Sequence, residues 1–240
     1  MKMRRMPLWL GWALALLVAA GFTRLGVWQL ARMHEKEAML ASVHATIERK
    51  SPNPLALAAD PARARGFDWA AGRGRFADAP AVLLDNQSRD DRAGVRAYRV
   101  FVPESGAPML VELGWLPLPG DRAMPRVASI PGGLDVRGLL LPPPSPGLVA
   151  ATANRLPGGE VLATALDAAQ LPALVGQRAL APRVLRLDPA MTDIGYARDL
   201  DVLPNTLPPS RHLGYAVQWF ALAAAVLATA AVLTFRKPRA

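Results

Sequence analysis

Cysteine is absent from the 240 residues, and that absence removes disulfides, thiol redox chemistry, thiolate copper sites and covalent c-type haem attachment. Histidine is scarce: His34, His44 and His212 stand too far apart to build a multi-histidine metal site within one element. No GxSxG, HExxH, P-loop or dinucleotide fingerprint occurs, and no internal repeat is visible. The paired carboxylates Asp90–Asp91 and Asp199–Asp201 lie in turn-like polar stretches, where solvation is the ordinary role of a carboxylate. With no enzyme site to read, the chain is taken as a non-enzyme. An Arg- and Ser-rich presequence is also missing ahead of the first apolar run, which argues against mitochondrial import.

Charge is missing from two stretches. Leu213–Phe235 holds 23 residues without one charge, enough at about 1.5 Å per residue to cross a hydrocarbon core of roughly 30 Å. Pro7–Thr23 holds 17, and the apolar pattern continues through Leu25, Val27 and Leu30. The net charge of +9 would suggest nucleic acid if it were clustered on an aqueous surface, but residues 31–211 carry 21 of the 28 cations and all 19 acids, leaving +2. Six of the other seven cations flank the outer ends of the apolar stretches, as the positive-inside rule requires of cytoplasmic ends. The sequence therefore predicts a cytoplasmic N-terminus (1–6), a transmembrane helix (7–30), an aqueous domain on the far side (31–211), a second transmembrane helix (212–235) and a cytoplasmic tail (236–240). Nucleic acid is excluded as a partner, and the lipid bilayer is the first partner implied. Val18, Ala19 and Ala20 offer a signal-peptide cleavage site, but helical periodicity runs past it toward Lys50, which favours an uncleaved anchor.

Both aqueous ends of the spans carry polar and aromatic residues. In RHLGYAVQWF, Arg211–Phe220, the positions His212, Tyr215, Ala216 and Trp219 fall at i, i+3, i+4 and i+7 and share one helical face. Gly26–Leu40 places Trp28 at the interface and Arg32, Glu35, Lys36 and Glu37 on a solvated face, with His34 the one metal-ligating side chain there. Small residues Ala13, Ala15 and Ala19 in the first span and Ala221, Ala224, Ala225 and Ala228 in the second permit helix packing.

Between the spans, short runs with alternating β-branched and aromatic residues predict strands over Arg73–Phe76, Ala81–Gln87, Arg96–Val102, Met109–Leu116, Leu134–Leu141 and Arg183–Leu187. Turn signals at Asp90–Gly94 and Glu104–Gly106 make this an antiparallel meander. In Met109–Leu116 the alternation puts Val111, Leu113 and Trp115 on one face and Glu112 on the other, the pattern of a sheet with one buried side; Gly114 reads as a bulge or a point of close approach. Ser51–Pro61 is a linker, Pro142–Pro146 an exposed extended segment, and Thr164–Leu174 a short helix interrupted near Pro172. Little periodicity survives from Asp188 to Ser210, where Ser210 is placed to cap the second span. The fold class is a membrane α+β protein, two transmembrane helices flanking a mainly antiparallel β domain.

Three segments resemble the Surfeit locus protein 1 family of cytochrome oxidase biogenesis factors: LGVWQLARMHEK at Leu25–Lys36; VLLDNQ, GVRAYRVFVP and LVELGW within Val82–Trp115; and LPPSRHLGYAVQWFALA at Leu207–Ala223. The resemblance implies a two-span protein of the bacterial inner membrane, its β domain periplasmic, that assists maturation of a haem–copper terminal oxidase, with haem a held transiently for delivery. It implies as partners the oxidase catalytic subunit and haem-synthesis or other assembly proteins. Haem asks for an imidazole, an apolar slot and cations for its propionates, so the expected cofactor-binding residues are Arg211, His212, Tyr215 and Trp219, with His212 on the metal and His34 as a remote second ligand. Trp28, Gln29, Arg32, Lys36, Gly114, Trp115 and Gln218 are read as partner-docking or structural positions of the shared motifs. The alternatives are a two-span scaffold or periplasmic ligand-binding module without cofactor, against whose sensor version the short Arg236–Ala240 tail speaks. A haem-modifying enzyme would be expected to need more membrane helices and intramembrane histidines.

Overall fold

In a computed structural model of the chain, residues 7–144, 150–202 and 207–236 are described. They form two compact units. The first joins the greater part of helix α1, Leu8–Arg49, to helix α3, Pro209–Phe235. Both helices are long and apolar enough to cross a membrane. The periodicity read past Leu30 is borne out, since α1 runs unbroken to Arg49. α3 begins three residues before His212, because Pro209 is preorganised for the first helical turn; Ser210 thus lies inside that turn and does not cap it, Pro208 being the N-cap residue.

Contacts between the two helices repeat along their length. The Trp12 indole N–H donates to Thr234 Oγ1 at 3.0 Å, the Phe22 and Trp219 rings stack with centroids 5.5 Å apart, and Gly26 lies under the Phe220 ring. Of the small residues predicted to line this packing, Ala15 and Ala19 are buried. Ala13, Ala221, Ala224, Ala225 and Ala228 are exposed instead. Ala216 and Ala223 take their place, because with His212 they form the stripe of α3 that is buried.

The second unit, Ser42–Asn205, is a nine-stranded sheet: β1 Asn53–Pro54, β2 Asp68–Phe76, β3 Val82–Arg89, β4 Arg92–Pro103, β5 Met109–Pro117, β6 Gly133–Leu141, β7 Ala153–Arg155, β8 Val161–Ala163 and β9 Val184–Leu187. The order is β1-β2-β6-β9-β5-β4-β3-β8-β7. β4 is long enough to pair with β3 through Tyr98 and then with β2 from Phe101, so β2, β6, β9, β5 and β4 close into a ring. Most pairings are antiparallel, as expected. The simple meander is not found: β9 enters between β5 and β6, parallel to β5, and β8 runs parallel to β3. Thr164–Leu174 supplies only one helical turn, α2 Leu171–Leu174, and β7 and β8 precede it unpredicted, each three residues long. Of the Pro142–Pro146 segment, everything after Pro144 lies outside the described residues, as do the tails at 1–6 and 237–240.

Both faces of the sheet are buried. Phe101, Met109, Val111, Leu113, Leu140, Leu185 and Leu187 fill one side, while Val82, Leu84, Tyr98, Val100, Leu110 and Leu139 fill the other, with Val43 from the end of α1. The expectation of one solvated face for β5 is therefore corrected. Glu112 points to the second side as predicted, but that side is covered and Glu112 is 1% exposed. Trp115 is corrected too. Between Tyr98↔Glu112 and Ala97↔Gly114 one extra residue, Leu113, is inserted in β5. Such a bulge inverts the alternation beyond it, so Trp115, opposite Arg96, shares the side of Glu112 and not that of Val111.

Candidate functional site

The sequence-predicted site divides between the two units. In the helical unit, α1 brings Gln29 to α3, and His212 Nδ1–H donates to Gln29 Oε1 at 2.7 Å. An amide oxygen can only accept, so this bond fixes the proton on Nδ1. Nε2 is left as a bare lone pair, buried and without a hydrogen-bond partner. His212 is 8% exposed. The face read from spacing is thus largely the packing face: His212, Ala216 and Trp219 turn toward α1, and only Tyr215, 40% exposed, lies open.

Arg211, Gln218 and Trp28 are exposed. Arg32 donates to Glu35 at 2.6 Å across one exposed helical turn, and His34 Nδ1–H meets Glu37 at 3.3 Å, the solvated face that the spacing described. Lys36 is not part of it; its ammonium donates to the Leu207 carbonyl ahead of α3. One side chain thereby ties the two helix-end motifs together, since Lys36 belongs to one and Leu207 to the other.

In the β unit the Val82–Trp115 motifs converge on a buried ionic cluster that the sequence reading does not find. Glu112 accepts from Arg96 Nη1 at 2.5 Å and from Arg186 Nε at 3.0 Å, and the Tyr98 hydroxyl donates to its second oxygen at 3.1 Å. Burial, reinforced by the Glu112 charge, pushes the Tyr98 phenol well above its usual range, so it remains a donor. For Arg96 burial works against the charge, and Glu112, Tyr98 and Asp199 together outweigh it. The available signal was charged residues standing singly in apolar strands: Arg186 between Leu185 and Leu187, Glu112 between Val111 and Leu113.

Gly114 and Trp115 sit at the bulge. Gly114 has φ +131°, and a β-carbon there would lie 2.7 Å from the Tyr196 carbonyl oxygen. Residues 196–197 occupy the β5 edge that β9 leaves free, through Tyr196 N–H to the Leu113 carbonyl and Trp115 N–H to the Ala197 carbonyl, each 2.8 Å. The Trp115 indole covers Gly94, where any β-carbon would clash with it. Both readings of Gly114, bulge and close approach, are borne out.

No group of three or more His, Cys, Asp or Glu able to hold a metal occurs among the described residues. The arrangement is that of an α+β membrane protein with two apolar helices and a β domain. Over residues 16–224 the chain matches the SURF1 family. It belongs to that family, which is associated with cytochrome oxidase assembly and is not a catalytic one. A search of curated proteins returns no match.

Proposed function

We propose that the protein is an inner-membrane assembly factor for a haem–copper terminal oxidase, with both termini cytoplasmic and the β domain periplasmic, and that it holds haem a transiently for the oxidase catalytic subunit. The single observation that carries the haem reading is the state of His212: Nδ1–H is committed to Gln29, while Nε2 has a free lone pair. A buried imidazole nitrogen without a partner costs about 1–3 kcal/mol, and a ligand that takes the lone pair recovers it.

The residues fit haem a in donor chemistry. Bound haem supplies an iron for an imidazole nitrogen and propionates for cations; here His212 would take the iron, and Arg211, next in the chain and exposed, would take a propionate. Gln29 orients the ring, as the outer partners of ligating histidines do. Because Nε2 is covered, ligation goes with a local movement that exposes it, which suits a transient holder better than a permanent one. Tyr215 lies at the open margin, and Trp219 is available only at the expense of its stacking on Phe22.

The test is protein purified from cells that make haem a. His212→Ala is expected to remove the Soret band and the oxidase activity together, whereas His44→Ala keeps both. A folded His212→Ala protein that retains haem as the parent does and still supports assembly would overturn the ligand assignment. The Gln29–His212 contact would then be an interhelical hydrogen bond in a cofactor-free scaffold, a reading favoured by the same burial of the His212 face.

A further inference from the structure

The Val82–Trp115 motifs are not used by the haem reading, yet they meet at one place in the β unit. A cavity of about 260 Å³ opens between the β3–β4 turn, the bulged end of β5 and residues 197–201. Three departures from regular backbone surround it: the β3 bulge between Leu84 and Gln87, the positive φ of Asp90, +50°, and the Leu113 bulge that turns Trp115 to this side. Bulges commonly re-aim side chains beside binding sites. Two of the residues that line the cavity, Trp115 and Arg89, each carry an N–H nitrogen, Nε1 and Nη1, that is buried and has no hydrogen-bond partner.

The surrounding charges limit what those donors can take. Glu112 at the cavity wall is taken up by Arg96 and Arg186, and Arg198 spends its guanidinium on the carbonyls of Leu113, Ile194, Tyr196 and Met191. Arg89 holds Asp199 and Asp90 only loosely, at 3.6 and 3.9 Å. In the lining Arg89, Arg96 and Arg198 stand against Asp90, Glu112, Asp199 and Asp201, and Arg186, which holds Glu112 from outside the lining, brings the cluster as a whole to no net charge. A dianion such as phosphate or sulfate would be repelled by Asp90 and Asp199, and no group of three or more His, Cys, Asp or Glu able to hold a metal ion occurs here among the described residues. A monoanion with two acceptor oxygens matches both free N–H groups.

We propose that this cavity binds a carboxylate, with one oxygen on the Trp115 indole N–H and the other on the Arg89 guanidinium. The carboxylate is either that of a small organic acid or a side-chain or terminal carboxylate of a partner polypeptide. The site is independent of His212 and of haem.

The experiment uses the full chain in detergent, labelled with 15N-tryptophan, the Trp115 indole resonance being assigned by its loss in Trp115→Phe. Titration with sodium acetate at constant ionic strength should move that resonance saturably, with a Kd of about millimolar order for one charge-assisted pair. Arg89→Gln should weaken binding about 10-fold or more while leaving the other indole resonances in place, which reports an intact fold. A blocked peptide with a single glutamate is the second probe. Binding at least about 10-fold tighter than acetate assigns the site to a partner polypeptide, and equal binding assigns it to small acids. No saturable shift with either probe, an unchanged affinity in Arg89→Gln, or sulfate binding as well as acetate would each overturn the proposal.

Discussion

Replacing Glu112 with glutamine keeps the shape of the side chain and removes its charge, which tests whether the ionic cluster holds the β domain together. The side chains of Glu112, Arg96 and Arg186 are 1%, 9% and 2% exposed, so water cannot screen the two guanidinium groups once their counter-charge is gone. The glutamine also brings an NH2 group against at least one N–H donor. Breaking a buried pair from one side costs about 3–5 kcal/mol. For a unit of this size about 1 kcal/mol moves Tm by roughly 2–4 °C, so the expected fall is roughly 6–20 °C in thermal unfolding followed by near-ultraviolet circular dichroism. Asp135→Asn is the control. Its partner Arg73 is 3.4 Å away and both side chains are more than half exposed, so the loss should stay under about 1 kcal/mol. A Glu112→Gln protein that melts within the range of that control would refute the reasoning.

Gly114→Ala combines a strained positive φ with a clash against the backbone of residues 196–197, each costing about 1–3 kcal/mol. It should accelerate hydrogen exchange at the Tyr196 and Trp115 amides, whereas Gly132→Ala, with φ +83° but open space around it, should leave them protected. For Asp188, burial opposes ionisation, but the Ala190 N–H, Arg137 and Lys50 outweigh it and hold the carboxyl below its usual range. The folded pKa being the lower one, its stabilisation is present above the unfolded value of about 3.9 and is lost as pH falls through the folded value. Denaturant titrations should therefore show Asp188→Asn less stable than the parent at pH 6, with the gap closing below about pH 4.

What could be read from the sequence follows from how far each signal reaches along the chain. The two apolar helices and the long strands Val82–Arg89, Arg92–Pro103 and Met109–Pro117 announce themselves within a window of a few residues, through length, alternation and turn chemistry. The placement of β9 between β5 and β6 does not, since Val111 and Leu185 are 74 positions apart and no local rule pairs them. The side of Trp115 was misread for a related reason: one inserted residue inverts a period of two, and only the partner strand reveals the insertion. At the helix ends the spacing collected His212, Ala216 and Trp219 correctly on one face. It could not tell whether that face looked outward or toward α1, because the deciding partner, Gln29, lies 183 residues away.

The insertion of β9 also sets an order in time. Every other strand of the ring lies before residue 142, yet β5 and β6 cannot be joined until residues 184–187 have been synthesised. Through the intervening stretch the nascent domain carries two long, apolar, unpaired edges, the condition in which partly folded β chains associate wrongly. With only about twenty residues separating β9 from α3, closure of the domain comes within moments of the second helix emerging from the ribosome at about 5–20 residues per second. A chain truncated just before Arg183 would thus leave the open sheet exposed to proteolysis and aggregation, while one truncated after Asp201 has every strand it needs.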